Sequence, residues 1–296
     1  AAIARIGDVD SQFSHISIIH VDENGDKSVV EALIAEGATI SDFKYTMTHS
    51  LARAVLFRHE DPALAAMAAH RIYERVRKSK ASWGDHIFYD FSMEPEGYDT
   101  LFCAKLVKQA YDEASHGVVQ LPTFPTTFRF ADKDFLSRIG VTAAETFAPG
   151  DIELEPRFMA VAEWRDYRKT SQIRLQDLVM VKLFSWLESG GYRFYETPAI
   201  WLISVLGKLS GYLPGLIKTG LSRLVPTVPS NMRRETIAVI TMLHKTAEPL
   251  LAELREMERQ RTRETGRPLH PKEVFAHLDS VEERSNGRIG FLRRRR

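Results

Sequence analysis

The rhythm of apolar and polar positions changes near residue 165. Before it, β-branched-rich runs at 15–20 and 28–34 flank Asp22-Glu23-Asn24-Gly25-Asp26, the pattern of a β-hairpin. Loop length decides which side chains share a face. A two-residue Asn24-Gly25 turn places Glu31 beside Ile16 and Ile18, burying an unpaired carboxylate. A three-residue loop with Gly25 left-handed in a bulge gathers Ile16, Ile18, Val30, Ala32 and Ile34 on one apolar face instead. His15, Ser17 and Glu31 then share the other face, with Ser17 opposite Glu31 and His15 its diagonal neighbour, about 7–8 Å away between backbones. Only this register sorts the residues by polarity, so it is the one expected.

Further on, 55–58 reads as a short strand. Pro62 opens a helix over 63–78, with Leu64, Met67, Ala68, Ile72 and Val76 at helical spacing. A loop over 79–97 precedes a helix that Asp99 or Thr100 can cap and that runs to about Ala114, with Cys103 in its first turn. Residues 118–148 read as strand and loop. After 165 the spacing predicts helices over 173–187, 198–209, 213–224, 231–263 and 271–284. The fold class expected is α+β, with a small antiparallel sheet and packed helices over 1–165 and a helical extension over 166–296.

Composition narrows the function. The chain has 296 residues and a single cysteine, so it holds no internal disulfide and no site needing two thiolates. Cys103 is then either a buried structural thiol or a reactive one. No run of about 18 uncharged apolar residues occurs, and the opening Ala1-Ala2-Ile3-Ala4-Arg5 lacks the charged-then-apolar order of a secretory signal. That segment begins within about six residues of Ala1, which leads us to expect a longer precursor; the compartment is not readable. Residues 1–150 carry 15 Lys and Arg against 21 Asp and Glu, whereas 151–296 carry 25 against 18. The basic excess gathers towards Arg293–Arg296, where contact with an anionic surface competes with a plain solvated helix face and frayed tail. Between 197 and 225 the only charges are Lys208, Lys218 and Arg223, a composition that suits a membrane interface, an acyl-chain pocket or a pair of core helices.

A thiol at the first turn of a helix lies in partial positive charge, beside free backbone N–H groups that can also hold an oxyanion. A neutral imidazole at His15 can take the thiol proton if Glu31 fixes its tautomer. Residue spacing alone does not bring Cys103 to that pair. Other chemistries fit less well. Asp22, Asn24 and Asp26 imitate a calcium loop, but Lys27 and Leu33 stand where glycine and a bidentate acid are needed. No H-x-x-x-H pair, dinucleotide fingerprint or phosphate loop appears. No metal, no cofactor and no specific nucleic acid are therefore expected. His20 points to the opposite strand face from His15 and reads as a surface residue.

The strings Gly7-Asp8, Ser14-His15-Ile16-Ser17-Ile18-Ile19 and Val29-Val30-Glu31-Ala32, followed by Tyr89-Asp90-Phe91 and Leu101-Phe102-Cys103-Ala104-Lys105-Leu106-Val107, resemble the permuted NlpC-type, YiiX-like cysteine hydrolases. The likeness covers residues 5 to about 113. His stands before Cys, the order of a circularly permuted papain-like fold, which lecithin-retinol-acyltransferase-like proteins share. The resemblance implies Cys103 as nucleophile, His15 as base and Glu31 as orienting group, with Tyr89, Asp90 and Ser17 at the substrate. It implies an acyl lipid or a cell-wall-type peptide amide as that substrate. The segment 197–225 and the basic end tilt the expectation to lipid and to peripheral membrane contact. Phe102, Ala104 and Lys105 depart from the family's usual Tyr, Ser and Glu, which leaves a catalytically silent interaction module as the alternative.

Overall fold

The computed structural model describes residues 13–81, 85–125, 133–210 and 228–295. It is a mixed α+β structure with small antiparallel sheets, divided into two compact units, one of residues 2–128 and 141–167 and one formed mainly by 129–140 and 168–296.

The first unit is built on three antiparallel strands, β1 (Ile18–Val21), β2 (Lys27–Leu33) and β3 (Gly37–Asp42), with β2 in the middle. Ile18 pairs with Val30 and Val21 with Lys27, the register of the three-residue loop. Asp22 and Asp26 close it with a backbone bond of 3.0 Å, Asp22 Oδ1 accepts from the N–H groups of Asn24 and Asp26, and Gly25 turns through φ +85°. One expectation fails here. Ile34 lies beyond the end of β2, in the turn to β3, and is 41% exposed. The face that carries Glu31 is covered as well: Val29 and Glu31 are buried, as are Val30 and Ala32.

After β4 (Arg53–His59), helix α1 (Pro62–Ala81) starts where Asp61 Oδ1 accepts from the N–H groups of Ala63 and Leu64. It packs Ala68, Ile72 and Val76 inward across the sheet and leaves Met67 exposed. His20 is buried rather than superficial, stacked on Tyr73 of α1 with centroids 4.1 Å apart. The short strands β5 (Phe88–Tyr89) and β6 (Thr100–Leu101) pair in parallel and deliver the chain into helix α2 (Cys103–Ala114). Neither Asp99 nor Thr100 caps α2: pairing with β5 keeps 100–101 extended, so the cap position falls on Phe102 and no side chain closes it. The pair β7 (Phe124–Pro125) and β8 (Glu145–Thr146) follows, and then β9 (Phe158–Arg165), an exposed strand that the sequence pattern does not announce. β9 pairs antiparallel with β4 around a bulge at Leu56/Phe57.

The second unit holds α3 (Lys133–Ile139), α4 (Tyr167–Glu188), β10 (Tyr192–Phe194), α5 (Pro198–Ser210), α6 (Arg234–Thr265), α7 (Pro271–Arg284), β11 (Arg288–Ile289) and β12 (Leu292–Arg294). The helix expected over 213–224 lies outside the described residues. Of the basic end, Leu292–Arg294 forms the middle strand of a three-stranded sheet, ordered β10-β12-β11, rather than part of a frayed tail. Among the described residues no helix is long and apolar enough to cross a membrane.

Gly37 ties β3 to the segment that leads to Cys103. The Ala38 N–H donates to Ile87 O at 2.9 Å, and a Cβ on Gly37, at φ +68°, would stand 2.2 Å from that same oxygen. Gly25 has a similar φ but nothing within 4 Å. Gly25→Ala is therefore expected to cost about 1–2 kcal/mol, the backbone term alone. Gly37→Ala adds a backbone collision and is expected to cost clearly more, on the order of 3 kcal/mol or above. Urea unfolding of the two variants compares these costs, and equal losses would remove the close approach as a constraint.

Candidate active site

The site assembles from three backbone pieces. His15 precedes β1, Glu31 sits mid-way along β2, and Cys103 is the first helical residue of α2. The β3–Ile87 bond, the β5–β6 pairing and an Asp90 N–H to Leu101 O bond of 3.1 Å link the sheet to the start of α2.

His15 Nε2 and Glu31 Oε2 lie 2.8 Å apart. Ser41 Oγ donates to the other carboxylate oxygen, Oε1, at 2.6 Å. Ser41 lies on β3, where Val29 faces Ser41 and Glu31 faces Thr39, so it is the diagonal neighbour of Glu31. The carboxylate is buried, and a charge there requires such partners. Cys103 is the other group that acts on this ring, close enough to raise its proton affinity. The structure thus brings together all three residues that carry the expected chemistry.

The protonation states follow from these contacts. Burial favours the neutral imidazole, but hydrogen bonds to Cys103 and Glu31, together with their negative charge, overcome it and raise His15 to about 9. Burial likewise opposes the charged form of Glu31, yet the bonds from His15 and Ser41 hold its carboxyl below the ordinary value. The ring is therefore cationic at neutral pH, where the sequence suggests a neutral base.

The expected pocket residues fall into different roles. Tyr89 is buried on β5, its ring edge-on to Phe91 at 5.2 Å. Burial, then the charges of Cys103 and Asp90, push its phenol well above 10, so it remains an O–H donor near the sulfur. Asp90 is committed within the protein: Oδ2 accepts from Lys105 Nζ at 2.8 Å, and Oδ1 from the Ser92 N–H at 2.9 Å and Ser92 Oγ at 2.5 Å. Lys105 is 2% exposed and Asp90 7%, so the pair is a buried lock between the 90–92 turn and α2. Ser17 is half-buried, and its hydroxyl has no hydrogen-bond partner among the described residues. Sequence reasoning missed Ser41 and the Lys105 lock. The β2–β3 register would have found the first; for the second, a lysine amid the apolar positions of a buried helix was the available sign. Among the described residues no group of three or more His, Cys, Asp and Glu is placed to hold a metal ion.

Compared with protein-family models, with curated proteins and with solved structures, the chain finds no match.

Two outcomes are expected. The folded His15 binds its proton more tightly than the unfolded residue, ordinary value 6.5, so its stabilising contribution is complete below about pH 6.5 and is lost as pH rises through about 9. Urea midpoints between these pH values should fall for the wild type and fall less for His15→Gln, and parallel profiles would refute the assignment. Asp90→Ala leaves a buried, unpaired ammonium and should cost about 3–5 kcal/mol, of which adding Lys105→Met should restore a large part. A double variant no more stable than Asp90→Ala would show that the two groups are not coupled.

Proposed function

We propose that this chain is a cysteine hydrolase or acyltransferase on a circularly permuted papain-like fold. The observation that carries the reading is the approach of Cys103, at a helix N terminus, to an imidazole held by Glu31, whose carboxylate Ser41 also holds. The helix end and the cationic ring both present positive potential on this side of the site. The reacting groups also occur in the permuted order, His on the strand side before Cys on the helix.

In this reading Cys103 Sγ attacks the carbonyl carbon of an ester or amide, and the carbonyl π electrons move to oxygen. The N–H groups of the first turn of α2 are the donors in this reading for that oxyanion. Collapse breaks the bond to the leaving alcohol or amine, and His15 supplies the proton it departs with. The thioester left on Cys103 is then attacked by water or another acceptor, whose proton returns to His15. Glu31 positions the ring and balances its charge throughout. Phe102, Ala104 and Lys105, the departures from the family pattern, are 3%, 0% and 2% exposed, so these changes act within the packing of α2 rather than at a substrate-facing surface.

A lipid acyl group is the favoured substrate. The exposed side of α5 consists of apolar residues, Trp201, Leu202, Leu206 and Leu209 among them, as in segments that meet acyl chains. A peptide amide is the alternative. A silent interaction module is the second reading, favoured by the 2% exposure of Cys103.

Intact-mass measurement after incubation with an aryl ester of a fatty acid and with a peptide amide separates these readings. The expected result is an acyl adduct on Cys103, absent in Cys103→Ala and formed about 10²–10⁴-fold more slowly in His15→Gln. No adduct, together with thiol alkylation equally slow in wild type and His15→Gln, would establish the silent module.

A further inference from the structure

The second unit's three-stranded sheet carries a charge arrangement that folding alone does not favour. Its inner face buries Tyr192 and Phe194 of β10, Leu292 of β12 and Ile289 of β11, with Arg294 over the Tyr192 ring at its edge. On the outer face Arg193 pairs directly with Arg293, and Arg293 pairs directly with Arg288. Three guanidinium groups therefore stand in one row across adjacent strands, which are about 4.8 Å apart. Like charges directly opposed across strands are destabilising.

Among the described residues no ion pair offsets this. Arg293 Nη1 donates to the carbonyls of Gly290 and Leu292, which are uncharged, and its guanidinium lies over the Tyr195 ring. Among the described residues no carboxylate lies within ion-pair distance of Arg193, Arg288 or Arg293. The row opens on a cleft of about 1290 Å³, whose lining also includes Arg294, Arg295, Glu282 and Glu283. Glu282 is turned to α4, where it accepts from Trp186 Nε1 at 2.6 Å and lies 3.8 Å from Lys182 Nζ. The cleft is thus lined by five arginines with one of its two carboxylates engaged elsewhere.

We propose that the Arg193–Arg293–Arg288 row is a binding site for a phosphoryl-type dianion. Guanidinium groups present paired N–H donors that match the oxygens of a phosphate, and a single dianion bridging the row turns its mutual repulsion into attraction. A local arrangement that costs stability without a structural return marks a functional position. The phosphoryl group can come from a free phosphate compound or from a lipid headgroup, and the two are distinguishable. The site belongs to the unit that does not hold Cys103, so it stands or falls independently of the thiol chemistry.

The test uses the full chain, titrated calorimetrically with pyrophosphate and, separately, by sedimentation with phosphatidylcholine vesicles with and without phosphatidate. Saturable binding of pyrophosphate, weakened about tenfold or more by Arg193→Gln or Arg288→Gln and unchanged by Lys272→Gln, supports a site for free phosphates. Phosphatidate-dependent sedimentation with the same pattern of variants, without pyrophosphate binding, supports a headgroup site. In the absence of ligand, Arg193→Gln is expected to melt higher than wild type, because repulsion is relieved. No binding of either probe, equal weakening by Lys272→Gln, or a lower melting temperature for unliganded Arg193→Gln would each overturn the proposal.

Discussion

The buried carboxylate of Glu31 is the constraint on which the first unit turns. A charge in the middle strand of a covered sheet is tolerated only with charged or hydrogen-bonding partners in place. Ser41 supplies one from β3, fixed by the strand register, and His15 supplies the other from the segment before β1. The hairpin register, the position of the N-terminal segment and the orientation of the imidazole are therefore one requirement expressed three times.

A second buried ion pair performs the matching task on the helix side. Lys105 and Asp90 join the 90–92 turn to the first turn of α2, next to Cys103 and Tyr89. A hydrophobic pair of similar volume would serve stability as well or better, so what the ion pair contributes is definition of place. Its geometry fixes the turn in one position relative to the helix, where apolar contacts would allow it to slide. The two pairs, Glu31 with His15 and Asp90 with Lys105, hold the two sides of the site by the same physics.

How much of this was legible depended on whether the deciding interaction was local. The hairpin register followed from the cost of burying Glu31 and from Gly25, both read within twenty residues of chain. The helices opening at Pro62, Pro198 and Pro271 were marked by proline, whose fixed φ suits the first helical turn. The cap of α2 was misjudged because the parallel pairing of 100–101 with 88–89 is a contact between segments, and it overrides the local preference of Asp99 and Thr100. β9 went unseen because it is exposed along nearly its whole length and so lacks the alternation that announces a strand. The meeting of Cys103 with His15 is non-local in the same sense, and only the family resemblance pointed to it.

The charge asymmetry along the sequence acquires two different meanings in the structure. In the first unit, the buried charges of Glu31 and Asp90 each have a cationic partner within the fold, as burial demands. In the second, the outward row of arginines is solvated, so water and counterions make its repulsion tolerable, although it remains unfavourable. A paired buried charge is explained by the structure that buries it. An unpaired row of like charges, placed by three strands whose other face buries Tyr192, Phe194, Ile289 and Leu292, is not, because glutamine or threonine on the outer face would build the same sheet with less repulsion. The arginines are thus explained by something the sheet faces rather than by anything within it.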